Sequence, residues 1–262
     1  MIRMMERRVV LLFWCIVTMS IVLSECAQEQ AEALANEAID DQVTWDFDKE
    51  WKPYGKPPSC PEPLVLQTPI DINLVTSILY PGQFRGGQYK PHGGFRFDHS
   101  KNEDIPVKAP MEGVLVSGSR YIESGEIQYM FDIINPCGIM VRFDHLLILS
   151  PKFADAAKQL RPPVVDDSRS TFLDAIPIRA GEVVATAVGL KKTSNVTLDW
   201  GVYDLRKRNK ASQNQAWLRQ HEGEQAPYAR CWLDLLPLSD STKAKSLPGG
   251  DSISGKKSDY CE

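Results

Sequence analysis

The whole chain of 262 residues carries only four histidines, and no two of its six cysteines stand at CxxC spacing. That scarcity argues against a structural zinc knuckle, which needs clustered Cys and His ligands. Basic residues do not outnumber acidic ones: 30 Lys and Arg face 34 Asp and Glu, for a formal net charge of −4. The basic face that nucleic acid requires is therefore missing. The N-terminal apolar run, Val9 to Leu23, falls short of the roughly 20 residues that span a bilayer. Arg85-Gly86-Gly87 lacks the strand-then-helix setting of a phosphate loop and reads as a turn.

At the start, Arg3, Arg7 and Arg8 precede that apolar run, the order of a secretory signal. Cleavage near Ser24-Glu25-Cys26-Ala27 is expected. An uncleaved anchor is the alternative, and Leu23-Ser24-Glu25-Cys26 is also similar to a bacterial lipoprotein signal, with Glu25 a poor fit before the Cys. Membrane contact is expected only through this segment. The first 26 residues hold three Arg and two Glu, so the remainder carries a net charge of −5. Four cysteines remain beyond them: Cys60, Cys137, Cys231 and Cys261. In an exported chain an even count predicts two disulfides, with three connectivities open; buried free thiols are the other reading. The expected location is secreted, periplasmic or cell envelope.

Residues 1–26 read as signal peptide or anchor and 27–75 as a tether with a Pro/Trp-rich extension. Residues 76–207 read as the compact domain, and 208–262 as a docking segment with a disordered tail unless Cys261 pins the end. The prolines at 57, 58, 61 and 63 forbid regular structure around them. Ile105–Val116, Tyr129–Ile134, Gly138–His145 and Asn195–Tyr203 alternate as strands do. Ile176–Gly189 reads as a hairpin-like pair turning at Ala180-Gly181. Ser150-Pro151 opens a short helix whose apolar face is Phe153, Ala156, Ala157 and Leu160. The fold class is mainly β, with one short helix and irregular extensions at both ends.

The most informative stretch is Lys90-Pro-His-Gly-Gly-Phe-Arg-Phe-Asp98. It is followed by Val-Lys-Ala-Pro-Met-Glu-Gly-Val-Leu-Val, then Phe-Asp-His-Leu, Ile-Arg-Ala-Gly-Glu-Val-Val-Ala and Thr-Leu-Asp-Trp-Gly-Val. Over roughly residues 76 to 205 this order resembles the M23 (LytM-like, lysostaphin-type) metallopeptidases. The resemblance implies an antiparallel sheet of the duplicated hybrid type. It also implies a zinc centre in which a His-x-Gly-x-Asp motif supplies two ligands and a His-x-His strand supplies the third ligand and a catalytic histidine. In such a centre the metal acidifies a water and polarises the scissile carbonyl of a wall peptide.

Carried over by residue, the pattern breaks. His92 matches the first ligand, and Arg96 stands where the Asp ligand belongs. His145 matches the histidine before Leu, and Thr197 and Asp199 stand at the two His-x-His positions. His145 and Thr197 are thus the catalytic positions by resemblance. Residues two apart in a strand share a face, so Arg96 and Asp199 are expected to meet as an ion pair where zinc would sit. That implies a degenerate, non-catalytic domain without cofactor that binds peptidoglycan or an envelope hydrolase. The alternative is a zinc endopeptidase with shifted ligands His92, Asp98 and Asp199, and His145 as base. A lipoyl-type carrier, with Lys191-Lys192 near Gly189, conflicts with export. His99 and His221 read as solvated, Trp200 and Tyr203 as core, and Asn195-Val-Thr197 as a chance glycosylation match.

Overall fold

The computed structural model describes residues 43–221 and 223–262. The segment expected to be a signal peptide or anchor, and the first part of the expected tether, lie outside the described residues. The fold is mainly β. Among the described residues, seven strands of a ten-stranded sheet run in the order β11 (Val164–Val165), β8 (Gly113–Glu123), β9 (Glu126–Asn135), β10 (Ile139–Leu149), β14 (Thr197–Asp204), β6 (Gly93–Arg96) and β3 (Ser77–Leu79), with three more pairing off this path. Every pairing along this path is antiparallel except β11 with β8. Two strands outside the sheet, β4 (Gln83–Arg85) and β5 (Gln88–Lys90), make a separate hairpin.

The strands form where apolar and polar residues alternate, because successive side chains point to opposite faces. β14 is the clearest case, since all eight of its residues are buried. Leu198, Trp200 and Val202 alternate with Thr197, Asp199, Gly201 and Tyr203, which occupy the other face. On the core side Trp200 lies 5.7 Å from Phe95 and 5.0 Å from Trp232, ring centre to ring centre. The helix α1 (Pro151–Ala156) starts after Ser150, and Phe153, Ala156, Ala157 and Leu160 are all buried. Phe153 meets Phe131 edge-on, which docks the helix on the sheet.

Several expectations need correction. The segment 176–189 is no hairpin: β12 (Thr171–Ile178) pairs with β8, whereas β13 (Val183–Val188) pairs with β10 and with β7 (Val107–Lys108). A turn at Ala180-Gly181 separates strands destined for different neighbours, which local sequence does not reveal. The N-terminal extension is partly regular, because β1 (Thr44–Asp48) and β2 (Glu50–Tyr54) pair ahead of the prolines. The core also reaches beyond 76–207. Leu66, Ile70 and Ile72 precede it, while Trp232, Leu233, Leu236 and Ala244 follow it, and all seven are buried.

The C-terminal tail is folded. Helix α3 (Leu238–Ser246) follows α2 (Gln215–Gln220). The amide of Ile78 donates to Pro248 O at 3.0 Å, and that of Gly250 donates to Ile78 O at 2.7 Å. Backbone bonding and a disulfide hold this Ser/Gly/Lys-rich stretch, so its composition misleads. The cysteines pair as Cys60–Cys137 and Cys231–Cys261. By chain entropy each closed loop contributes about 4 kcal/mol. Trp232→Ala is expected to lower stability by roughly 3–5 kcal/mol, measured by denaturant unfolding. A loss below ~1 kcal/mol would show that the C-terminal segment is not part of the cooperative core.

Candidate functional site

Asp199 is the centre of the site. In register it lies opposite Gly94 on β6 and Asp144 on β10. A Cβ at position 94 would sit 2.5 Å from Leu198 O and 2.9 Å from Asp199 Oδ1. Glycine there lets β6 approach the carboxylate, which is why a Gly follows His92 at this spacing. His92, just before β6, brings Nε2 to 3.0 Å from Asp199 Oδ2. His145 Nε2 is 3.9 Å from the same oxygen, and an Arg85 guanidinium nitrogen is 4.0 Å from it.

Arg85 ends β4 just before Gly86 and Gly87, both at positive φ, so the hairpin turns sharply and sends the guanidinium inward. It donates to Tyr80 O at 3.0 Å and to His92 O at 3.1 Å. The second bond ties the cation to the backbone of the histidine that binds the same carboxylate. The His145 backbone is unusual, with φ of 61°. Up to Asp144, β10 runs beside β14, and from Leu146 it runs beside β13. His145 sits at the change of partner, with a register break against β9 on the same turn. Asp144 Oδ1 accepts from the His145 amide at 2.8 Å and from Tyr121 OH at 2.6 Å. Glu123 Oε2 lies 3.8 Å from His145 Nδ1.

The electrostatics follow from burial opposed by partners. Burial would raise the Asp199 carboxyl, but His92, His145 and Arg85 outweigh it and hold it well below the usual carboxylate range. Burial lowers His92 and exceeds the pull of Asp199, so the ring is neutral at pH 7 and donates from Nε2. Burial opposes charge on His145 too, yet Asp144, Asp199 and Glu123 together raise its pKa. Burial also pushes the Tyr121 phenol up, beside Asp144. The result is a fixed anion, a fixed cation and two histidines biased in opposite directions. Such a set orients hydrogen bonds and can hold one proton on His145.

The expected ion pair between Arg96 and Asp199 is absent. Arg96 stands opposite Thr197 and Ser77, two pairs further along the strand than Gly94. Its guanidinium bonds Asp98 Oδ1 at 3.2 Å in a half-exposed pair. The carboxylate partner of Arg96 is therefore two residues along the chain, in the turn after β6, and the cation beside Asp199 is Arg85. Asp98 does not join His92 and Asp199: its other oxygen accepts from Thr76 Oγ1 at 2.7 Å. Thr197 is buried, and its hydroxyl donates to Phe95 O at 3.2 Å, away from the carboxylate. Among the described residues no three His, Cys, Asp or Glu assemble into a metal-holding group.

His92, His145 and Asp199 do come together. Sequence reasoning missed Arg85, Tyr121, Glu123 and Asp144 as site residues. The first was read only as a turn, and the others sit on strands whose neighbours are distant in sequence. His99 is exposed. His221 is not simply solvated, because it stacks on Tyr89 at 3.8 Å between ring centres. Trp200 and Tyr203 are core.

No protein family and no curated protein matches the chain. Among solved structures it is similar to Helicobacter pylori Csd3 (orthorhombic crystal), at 15% identity and a TM-score of 0.31. The match covers 54% of this chain and 32% of that one, so the chain spans about a third of its length.

Two outcomes test the charge assignments. Asp199→Asn leaves buried Arg85 without its carboxylate and is expected to cost about 3 kcal/mol. His92, with its pKa lowered, resists the proton that the unfolded chain takes up. Stability is therefore lost as pH falls through the ordinary value of 6.5. The raised pKa of His145 acts the other way: it contributes stability below pH 6.5 that is lost as pH rises past its folded value. Denaturation curves for His92→Gln should lose the first slope and those for His145→Gln the second. Unchanged slopes in both variants would refute the assignments.

Proposed function

We propose that the chain is an exported, M23-like domain whose hydrolytic centre has become a fixed hydrogen-bonded cluster, and that it serves the cell envelope by binding rather than cleavage. The observation that carries this reading is Arg85. In a zinc hydrolase the ligand carboxylate must face a dication, and here a buried guanidinium already lies 4.0 Å from the Asp199 oxygen that faces His92. Two like charges sharing one carboxylate at that range repel strongly at low dielectric. The donor set fits zinc poorly for a second reason. Arg96 replaces an acid, and Asp98 is engaged by Thr76 and Arg96.

Peptidoglycan as the target is inferred from the order of the M23-like segments in the sequence and from the export signal. Two disulfides suit an oxidising compartment outside the cytoplasm. At the rim of the cluster the partly exposed Glu123, 3.8 Å from the His145 ring, offers a carboxylate to a short peptide. An envelope hydrolase as protein partner is the second occupant of this same reading.

The rival is a zinc endopeptidase with His92 and Asp199 as ligands. It requires Arg85 to swing out and a third donor to move in. Metal analysis after zinc loading separates the two. The expected result is no stoichiometric zinc, no cleavage of purified peptidoglycan, and retention of the protein on that peptidoglycan in a pull-down. Zinc near one per chain with chelator-sensitive cleavage would establish the rival. Failure to be retained would remove the wall as ligand. Arg85→Asp is expected to raise zinc affinity, since it replaces the competing cation by a donor.

A further inference from the structure

The hairpin that carries Arg85 does not hold itself in place. β4 and β5 pair over three residues each and belong to no larger sheet. Two-stranded ribbons of that length are marginal alone. Their support comes from the end of the chain. Gln83 Nε2 donates to Gly255 O at 3.0 Å and to Lys257 O at 2.6 Å. Ser258 Oγ donates to Pro81 O, and the amide of Asp259 donates to Gly82 O at 3.1 Å. Ser254 Oγ donates to Phe84 O at 3.2 Å. Tyr89 OH bonds both Asp259 Oδ2 and Tyr260 OH. The Tyr260 ring lies so close to Gly82 that a Cβ there would meet it at 2.8 Å.

This strap is anchored at its far end by Cys261, bonded to Cys231. That disulfide lines a surface cavity of about 560 Å³, together with Lys210, Arg230, Asp234 and Tyr260. Each disulfide joins one buried cysteine of the core, Cys137 or Cys231, to a half-buried partner packed against it; what sets Cys231–Cys261 apart is the cavity it lines. The cavity gives a reagent an approach to this bond from the half-buried Cys261 side.

We propose that residues 250–261 are a redox-fastened clamp: they hold the β4–β5 hairpin so that Arg85 occupies the Asp199 centre, and opening Cys231–Cys261 releases it. The reductant is a dithiol. One of its thiolates attacks a sulfur of the Cys231–Cys261 bond, giving a mixed disulfide and one free protein thiol. Its second thiol then closes the reagent's own disulfide, leaving both protein cysteines as thiols; two electrons pass to the protein. Freed at Cys261, the strap loses its covalent anchor and keeps single hydrogen bonds to Ile78, Trp217 and Ala226; the hairpin loosens, and Asp199 and His92 are left without the guanidinium. The proposal goes beyond the binding reading and does not depend on it, since the clamp acts on Arg85 whatever the centre binds.

The test uses the full chain, with the double variant C231S/C261S and Cys60–Cys137 left intact. Amide exchange of Phe84–Tyr89 is expected to rise at least about tenfold, the response of a locally opened unit, while β10 and β14 amides keep their protection. The imidazole titration of His92, followed by NMR, should move upward as Arg85 leaves. Arg85→Met in the oxidised protein should reproduce that upward move without faster exchange in the hairpin. Should C231S/C261S not fold, Q83A/S258A in the oxidised protein removes three of the clamp's bonds and should speed hairpin exchange selectively. Unchanged hairpin exchange and an unmoved His92 titration would overturn the proposal. So would equal acceleration throughout the sheet, which would make the disulfide a general staple.

Discussion

A carboxylate buried on the polar face of a central strand governs the rest of the site. Moving an ion of that size out of water costs several kcal/mol even after relaxation, so Asp199 must be surrounded or neutralised. It is surrounded. His92 gives it a hydrogen bond, Arg85 a full charge, and His145 a third nearby nitrogen. Each of these needs its own support. Gly94 makes room for the carboxylate, the turn at Gly86-Gly87 delivers the guanidinium, and the break in β10 aims the second imidazole. Removing the carboxylate would leave the guanidinium uncompensated, and removing the guanidinium would leave the carboxylate with the two imidazoles alone.

The central sheet has one apolar and one polar face, and the polar face is itself ordered by ion pairs. Arg142 grips Asp132 with two bonds, at 2.6 and 2.7 Å, and Ser117 donates to the same carboxylate. Asp144 and Tyr121 continue the network towards His145. Low dielectric strengthens each link and makes any missing link expensive. The site is therefore a segment of a longer polar seam across β8, β9, β10 and β14.

Much of the fold was legible because periodicity is local. The strands at Tyr129–Ile134, Gly138–His145 and Asn195–Tyr203 and the helix after Ser150 stand where alternation and capping place them. The site was legible in part: His92, His145 and Asp199 were singled out and do meet. The wrong arginine was chosen because strand-face parity says which residues share a face but not which are opposite each other. Register places Gly94, not Arg96, across from Asp199. The tail was misread because low hydrophobicity signals disorder only for segments that must hold themselves together. Here Gln83, Ser258 and a disulfide hold the segment instead.

The conformation of His145 connects the fold to the chemistry. A non-glycine residue at positive φ costs on the order of 1–3 kcal/mol and persists only where its surroundings over-determine it. Here they do. Its amide is bonded to Asp144, its carbonyl accepts from Gly189, and its strand must leave β14 for β13 at that point. A regular strand would have carried its side chain to the opposite face from Asp144, among Phe143 and Val141. The bulge instead puts Asp144 and His145 within reach of the same carboxylate neighbourhood. The strain thus follows from one requirement: two adjacent residues must both serve the polar seam, which an unbroken two-residue period forbids.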